Sequence, residues 1–182
     1  MKKYLVIAIL SLFLVPAMAQ EHNCGNCPHH QQHKGQQTSG KSCCSQQAKK
    51  TINGLPAEIV KAFPTAKSVK KAEKGTAVYD ASKNLLGYAV YSKPASNGIQ
   101  GFAGETPLMV AISPKDKVLS VTMLDNNETP GYLQKVVSAG LLKAWDGMKV
   151  KRAKKANVDC VSGATFSSQS IIATFRAAIK NW

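Results

Sequence analysis

A break in composition near residue 50 divides this chain into a part that cannot build a hydrophobic core and a part that can. All four histidines (His22, His29, His30, His33) and four of the five cysteines (Cys24, Cys27, Cys43, Cys44) fall before it. From Gln20 to Lys50 the rest is mostly Gln, Ser, Gly and Lys, with almost no aliphatic side chain. Such a segment buries too little apolar surface to offset its ordering entropy. From Thr51 to Trp182 apolar residues recur periodically. The expected organisation is a signal peptide over 1–19, an unstructured Cys/His-rich segment over 20–50 and one folded domain over 51–182.

The signal peptide is read from Lys2 and Lys3, the apolar run Tyr4 to Val15, and the small residues Ala17 and Ala19. About twelve apolar residues fall short of the roughly 20 that span a bilayer. The expectation is export to the periplasm or another extracytoplasmic space, with membrane association if the run is retained. The formal net charge is +14. Outside the cytoplasm that charge points away from nucleic acid and toward an anionic membrane surface, an acidic protein or a phosphorylated ligand.

The Cys/His-rich segment supports two readings. Imidazoles and thiolates ligate zinc or copper, so His22, Cys24, Cys27, His29, His30, His33, Cys43 and Cys44 are candidate metal ligands. The spacing matches no standard finger, and Pro28 after Cys27 argues against c-type haem attachment. In an oxidising compartment, disulfides are an equally natural use of these four cysteines.

Within the domain, Leu55, Ile59, Val60 and Phe63 at helical spacing predict a short helix ending at Pro64. Thr76 to Ala81 and Leu85 to Ser92 predict one hairpin. Leu108 to Ser113 and Val118 to Leu124, around Pro114-Lys115-Asp116-Lys117, predict a second. Tyr132 to Trp145 is helical in tendency with a break at Gly140, and Lys149 to Lys155 reads as an exposed strand or loop. Ser167 to Trp182 carries the pattern of an amphipathic helix. The predicted fold class is α+β, a mainly antiparallel sheet of two hairpins with flanking helices and a C-terminal amphipathic helix.

Thr51 to Trp182 holds no histidine and one cysteine, Cys160. Ser-His-Asp and Cys-His catalysis and a His-ligated catalytic metal are thereby excluded from the domain itself. Its nine carboxylates form no suggestive pair, so chemistry here would come from a bound cofactor. Ser162-Gly163-Ala164-Thr165 leads into the last helix, where backbone amides and the dipole attract phosphate. The same residues also suit simple capping, with Ser162, Thr165 or Ser167 as the cap.

Asp159-Cys160-Val161-Ser162-Gly163-Ala164-Thr165 resembles the flavinylation motif Asp-x-x-Ser/Thr-Gly-Ala-Thr of the FMN-binding domain family. That family includes the periplasmic flavin subunits of Rnf complexes and of the sodium-translocating NADH:quinone reductase. Gly101-Phe102-Ala103-Gly104 and Glu128-Thr129-Pro130-Gly131 are similar to two further family elements, in the same order. The resemblance implies FMN esterified through its phosphate to Thr165 by a dedicated flavin transferase. It also implies that the transferase recognises Asp159, Ser162, Gly163, Ala164 and Thr165, and that Glu128 and Thr129 contact the cofactor. On local grounds Thr129-Pro130-Gly131 is a strand-ending turn. Cys160, at a variable motif position, is expected to be a small buried residue rather than a redox thiol.

The function implied is a redox carrier rather than a stand-alone enzyme, passing electrons between donor and acceptor proteins that include membrane-bound ones. The large-complex members of the family keep a membrane anchor, whereas this chain is expected to be cleaved free as an extracytoplasmic shuttle. The basic residues Lys149, Lys151, Arg152, Lys154 and Lys155 are either a solvated face or a source of positive potential for the FMN phosphate or an acidic partner. The alternative function is metal binding or handling through the Cys/His-rich segment.

Overall fold

The computed structural model describes residues 51–182. The expected signal peptide and the Cys/His-rich segment, with all its candidate metal ligands, lie outside the described residues. The domain opens with a small hairpin, Thr51–Ile52 (β1) paired to Leu55–Pro56 (β2). Asn53 and Gly54 close it, both at positive φ (53° and 77°), the conformation that a two-residue hairpin turn requires and that Asn-Gly adopts readily. Helix α1 (Ala57–Ala62) follows and stops at Phe63.

Five strands then form one antiparallel meander, each beside its neighbour in the chain. They are β3 (Ser68–Ala72), β4 (Gly75–Tyr79), β5 (Leu85–Tyr91), β6 (Leu108–Ile112) and β7 (Val118–Met123). The expected hairpins are β4–β5 and β6–β7, and pairing of β5 with β6 joins them. Side chains alternate between the faces of a strand, and β6 is buried on both. Leu108, Val110 and Ile112 face the larger cluster, while Met109 and Ala111 pack with Ile59 and Phe63 of the α1 region.

The remaining elements are α2 (Pro130–Ser138), a 3₁₀ turn over Leu141–Lys143, α3 (Val150–Ala153) and α4 (Thr165–Ala178). Helix α4 lies on the larger cluster through Ile171, Ile172 and Phe175, with Ile179 just beyond its end. Trp145 stacks on Phe175 with ring centroids 4.0 Å apart. Each such side chain, fully buried, contributes about 1.5–3 kcal/mol, so α4 is pinned along its length and its N-terminal end has a fixed position. Among the described residues no helix is long and apolar enough to cross a membrane.

Two sequence expectations change. Lys149 to Lys155 is not strand or loop, because it contains α3, which buries Val150 and Ala153, three residues apart, and leaves Lys151 and Arg152 outside. Thr129-Pro130-Gly131 is not a separate turn. Pro130 is the first residue of α2, where its fixed φ suits the helix and its missing N–H costs nothing.

Candidate functional site

The loop before α4 is shaped by Gly163, in the left-handed region at φ 73°, and by Ala164, which is buried. Helix α4 starts at Thr165 without a side-chain cap. The capping roles open to Ser162, Thr165 and Ser167 are therefore not taken up. Ser168 ties the loop down from inside the helix, its hydroxyl accepting from Val161 N–H (3.1 Å) and donating to the Ala164 carbonyl (2.8 Å). Asp159, Ser162, Gly163 and Thr165 are exposed. Cys160 is exposed as well, contrary to the buried position expected of it, because the stretch Asn157 to Cys160 runs over the surface before turning in at Ala164.

Beside Thr165 lies an open cavity of about 230 Å³, lined by Phe102, Tyr132, Gly163, Ala164, Thr165, Phe166 and Ser167. Three features distinguish it. The first-turn N–H groups of an α-helix have no intrahelical acceptor, so at this uncapped end they present positive partial charge. Ser167, only 1% exposed, has a hydroxyl with no hydrogen-bond partner, an arrangement that costs free energy unless something else satisfies it. Phe102 (58%) and Phe166 (65%) turn large apolar rings to solvent, and Phe102 meets Tyr132 edge to face at 4.8 Å.

Glu128 and Thr129 do not line this cavity. Glu128 is 4% exposed, and its carboxylate is occupied by the chain itself. Oε2 accepts from Phe102 N–H (2.7 Å), while Oε1 accepts from Ala103 N–H (3.0 Å) and Thr129 N–H (2.9 Å). It therefore acts one layer back, holding the loop that carries Phe102 against the start of α2. Gly101 is needed there because a Cβ would land on Glu128 Oε2. Thr129 contributes its backbone carbonyl, which accepts the first helical bonds from Tyr132 and Leu133.

Helix α2 also sends a residue to the loop beside the cavity, although it does not line the cavity itself. A Cβ on Gly163 would stand 3.1 Å from Lys135 Nζ, and Lys135 follows Tyr132 by three residues, on the same helix face. Of the basic run, Lys154 is placed elsewhere. Lys154 Nζ donates to the carbonyls of Lys180 (2.9 Å) and Trp182 (3.2 Å). These lie beyond the far end of a helix about 21 Å long, so Lys154 is committed to the end opposite Thr165.

A larger groove, about 610 Å³, lies among Lys71, Lys74, Tyr91, Lys93 and Trp182 and contains none of the motif residues. Volume therefore does not select the site, whereas chemistry does. An uncapped helix start, an orphaned hydroxyl, an ammonium group and three aromatic rings suit a phosphorylated aromatic ligand. Tyr132, Lys135 and Phe166 carry no sequence signal that marks them as site residues, Phe102 is reached only through the resemblance of Gly101-Phe102-Ala103-Gly104 to a family element, and Ser167 is legible only as a cap. Among the described residues, no group of three or more His, Cys, Asp and Glu side chains could hold a metal ion.

Residues 101–180 match the FMN-binding domain family. The chain is 27% identical over 116 residues to one component of the Na(+)-translocating ferredoxin:NAD(+) oxidoreductase complex of Acetobacterium woodii, covering 63% of this chain and 52% of that protein. It thus spans about half the length of this curated relative. The crystal structure of NqrC from Shewanella oneidensis aligns at 21% identity over 73% of this chain and 71% of that one, with a TM-score of 0.40.

Proposed function

Because residues 101–180 belong to the FMN-binding domain family, we propose that this chain is an exported electron-transfer protein whose FMN is joined through its phosphate to Thr165. The observation that carries the proposal is the exposed Thr165 at a helix start without a side-chain cap, lining the same cavity as Ser167, whose hydroxyl is unpartnered. Bound FMN supplies one- or two-electron chemistry that no side chain of the domain provides. Thr165, the first-turn amides and Ser167 would hold the phosphoryl end, and Phe102, Tyr132 and Phe166 the ring.

In the attachment step the Thr165 oxygen forms a bond to phosphorus and loses its proton. At the same phosphorus the phosphoanhydride bond of a flavin dinucleotide donor, brought by a flavin transferase, breaks; the nucleoside monophosphate leaves with the electron pair and the proton passes to solvent. Asp159 and Ser162 are exposed and accessible for that enzyme to read. The cavity, about 230 Å³, is smaller than the roughly 300–1,000 Å³ that enclose a whole drug-sized ligand. Much of the cofactor would therefore remain at the surface, which suits electron exchange with protein donors and acceptors. A covalent tether also keeps an extracytoplasmic cofactor at permanent effective concentration.

The test is co-expression with a flavin transferase, followed by intact mass measurement and peptide mapping. The expected outcome is one FMN-sized mass addition on Thr165 that keeps its yellow colour after denaturation. In Thr165→Ala both mass and colour are lost. A bare Thr165 in flavin-loaded wild type, or a coloured denatured Thr165→Ala variant, overturns the proposed linkage.

A further inference from the structure

Lys135 is an exposed residue of α2, yet its ammonium lies against the loop that precedes Thr165, 3.1 Å from where a Gly163 side chain would begin. Among the described residues it takes part in neither ion pair, which are Lys74 with Asp116 and Lys93 with Glu105. Gly163 stands at φ 73°. A side chain there would be strained by that φ whatever the space, and the one atom its Cβ would meet is the mobile end of Lys135. Ser167, whose hydroxyl is buried and unpartnered, lines the same cavity as Gly163.

We propose that Lys135 is the counter-ion of the phosphoryl group carried at Thr165, with Ser167 as a neutral donor to the same group. This rests on the proposed attachment of FMN at Thr165. A phosphate joined to two carbons through oxygen keeps one negative charge. The helix start offsets about half an elementary charge, and one ammonium more than covers the rest. Lysine suits the task because it is a compact charge on a flexible stem, which can follow the phosphoryl group before and after the bond forms. Tyr132 lies one turn earlier on the same face of α2. One helix thus presents an aromatic ring and a cation to the two chemically different ends of the ligand.

The test uses purified apoprotein, a flavin transferase and its flavin nucleotide donor, with mass gain followed over time at low and high salt. Lys135→Gln is expected to slow attachment about five-fold at low salt, the effect of one partly screened charge, and to lose most of the wild-type salt dependence. Lys135→Arg restores both. In fully flavinylated protein the ³¹P resonance of the ester shifts in Lys135→Gln, a readout independent of how the transferase docks. Unchanged thermal melting of apo Lys135→Gln shows that folding is not the cause. If wild type is flavinylated on Thr165 while Lys135→Gln matches it in rate, salt response and ³¹P shift, the role of Lys135 is overturned and the attachment stands. If wild type is never modified at Thr165, the attachment itself fails and the proposal fails with it.

Discussion

The tripeptide Glu-Thr-Pro occurs twice, at Glu105-Thr106-Pro107 and at Glu128-Thr129-Pro130, with opposite burial. In the first, Thr106 is buried, its hydroxyl 2.6 Å from that of Ser170 on α4, and Glu105 stays at the surface with Lys93 and the Gly98 N–H. In the second, Glu128 is buried and Thr129 offers mainly its backbone. What differs is the approach of the chain. The first copy enters β6 directly. The second follows a turn in which Asn126 accepts from Glu128 N–H (3.0 Å) and donates to the Leu124 carbonyl (2.8 Å), rotating the carboxylate toward the Phe102 loop. The first copy ties the entry of β6 to α4 and the second ties the Phe102 loop to the start of α2, so a repeated motif carries its role in its surroundings.

The comparison breaks most visibly at Glu128. Removing a buried carboxylate that accepts three backbone N–H groups is expected to cost about 2–4 kcal/mol, because charge-assisted bonds are lost and amides are left unpaired. Urea unfolding of the apo domain measures it. Gly101→Ala sharpens the point, since its Cβ collides with Glu128 Oε2. It should be strongly destabilising in wild type and much milder in Glu128→Ala, a coupling of about 1–3 kcal/mol. Equal costs in both backgrounds would mean that the carboxylate is not what excludes a side chain at position 101.

Thr106 comes next. Thr106→Val keeps the shape but leaves Ser170 Oγ buried without its partner, at an expected cost of about 1–3 kcal/mol. Adding Ser170→Ala should recover part of that loss, since replacing both partners removes the unsatisfied group. A neutral Thr106→Val would show that the first copy braces nothing.

Much of the scaffold is legible because local pattern and tertiary role coincide. The short apolar runs Leu85 to Tyr91 and Leu108 to Ile112 and the spacing of Ile171, Ile172 and Phe175 are set by the core they face. Strand β3 is not legible, because Ser68, Val69, Lys70 and Lys71 are all exposed on a sheet edge and leave no alternation. Hairpin β1–β2 carries an Asn53-Gly54 turn signal, but its strands of two residues each are too short to show a period. Thr165 is reached through the resemblance of its heptad, a short-range signal. The partners of that heptad come from Phe102 and from Tyr132 and Lys135 on α2. Their meeting depends on a carboxylate that bonds to amides 25 and 26 residues away, and nothing in sequence spacing shows that distance closing.

The smallest expected effect belongs to Glu105. Its carboxyl is held below the usual glutamate range first by the hydrogen bond from Lys93 and then by the Gly98 N–H. A carboxylate whose folded pKa is depressed stabilises the fold above its unfolded pKa, about 4.3, and loses that contribution as pH falls through the lower folded value. At the surface the pair is screened by salt. Glu105→Gln should therefore leave melting at pH 7 in moderate salt nearly unchanged, and any small difference should vanish in acid. A side-chain carboxyl titration by NMR should place Glu105 below an ordinary glutamate and move it upward in Lys93→Met. If Glu105→Gln instead costs as much as Glu128→Ala, the two copies are equivalent braces, and burial is not what separates them.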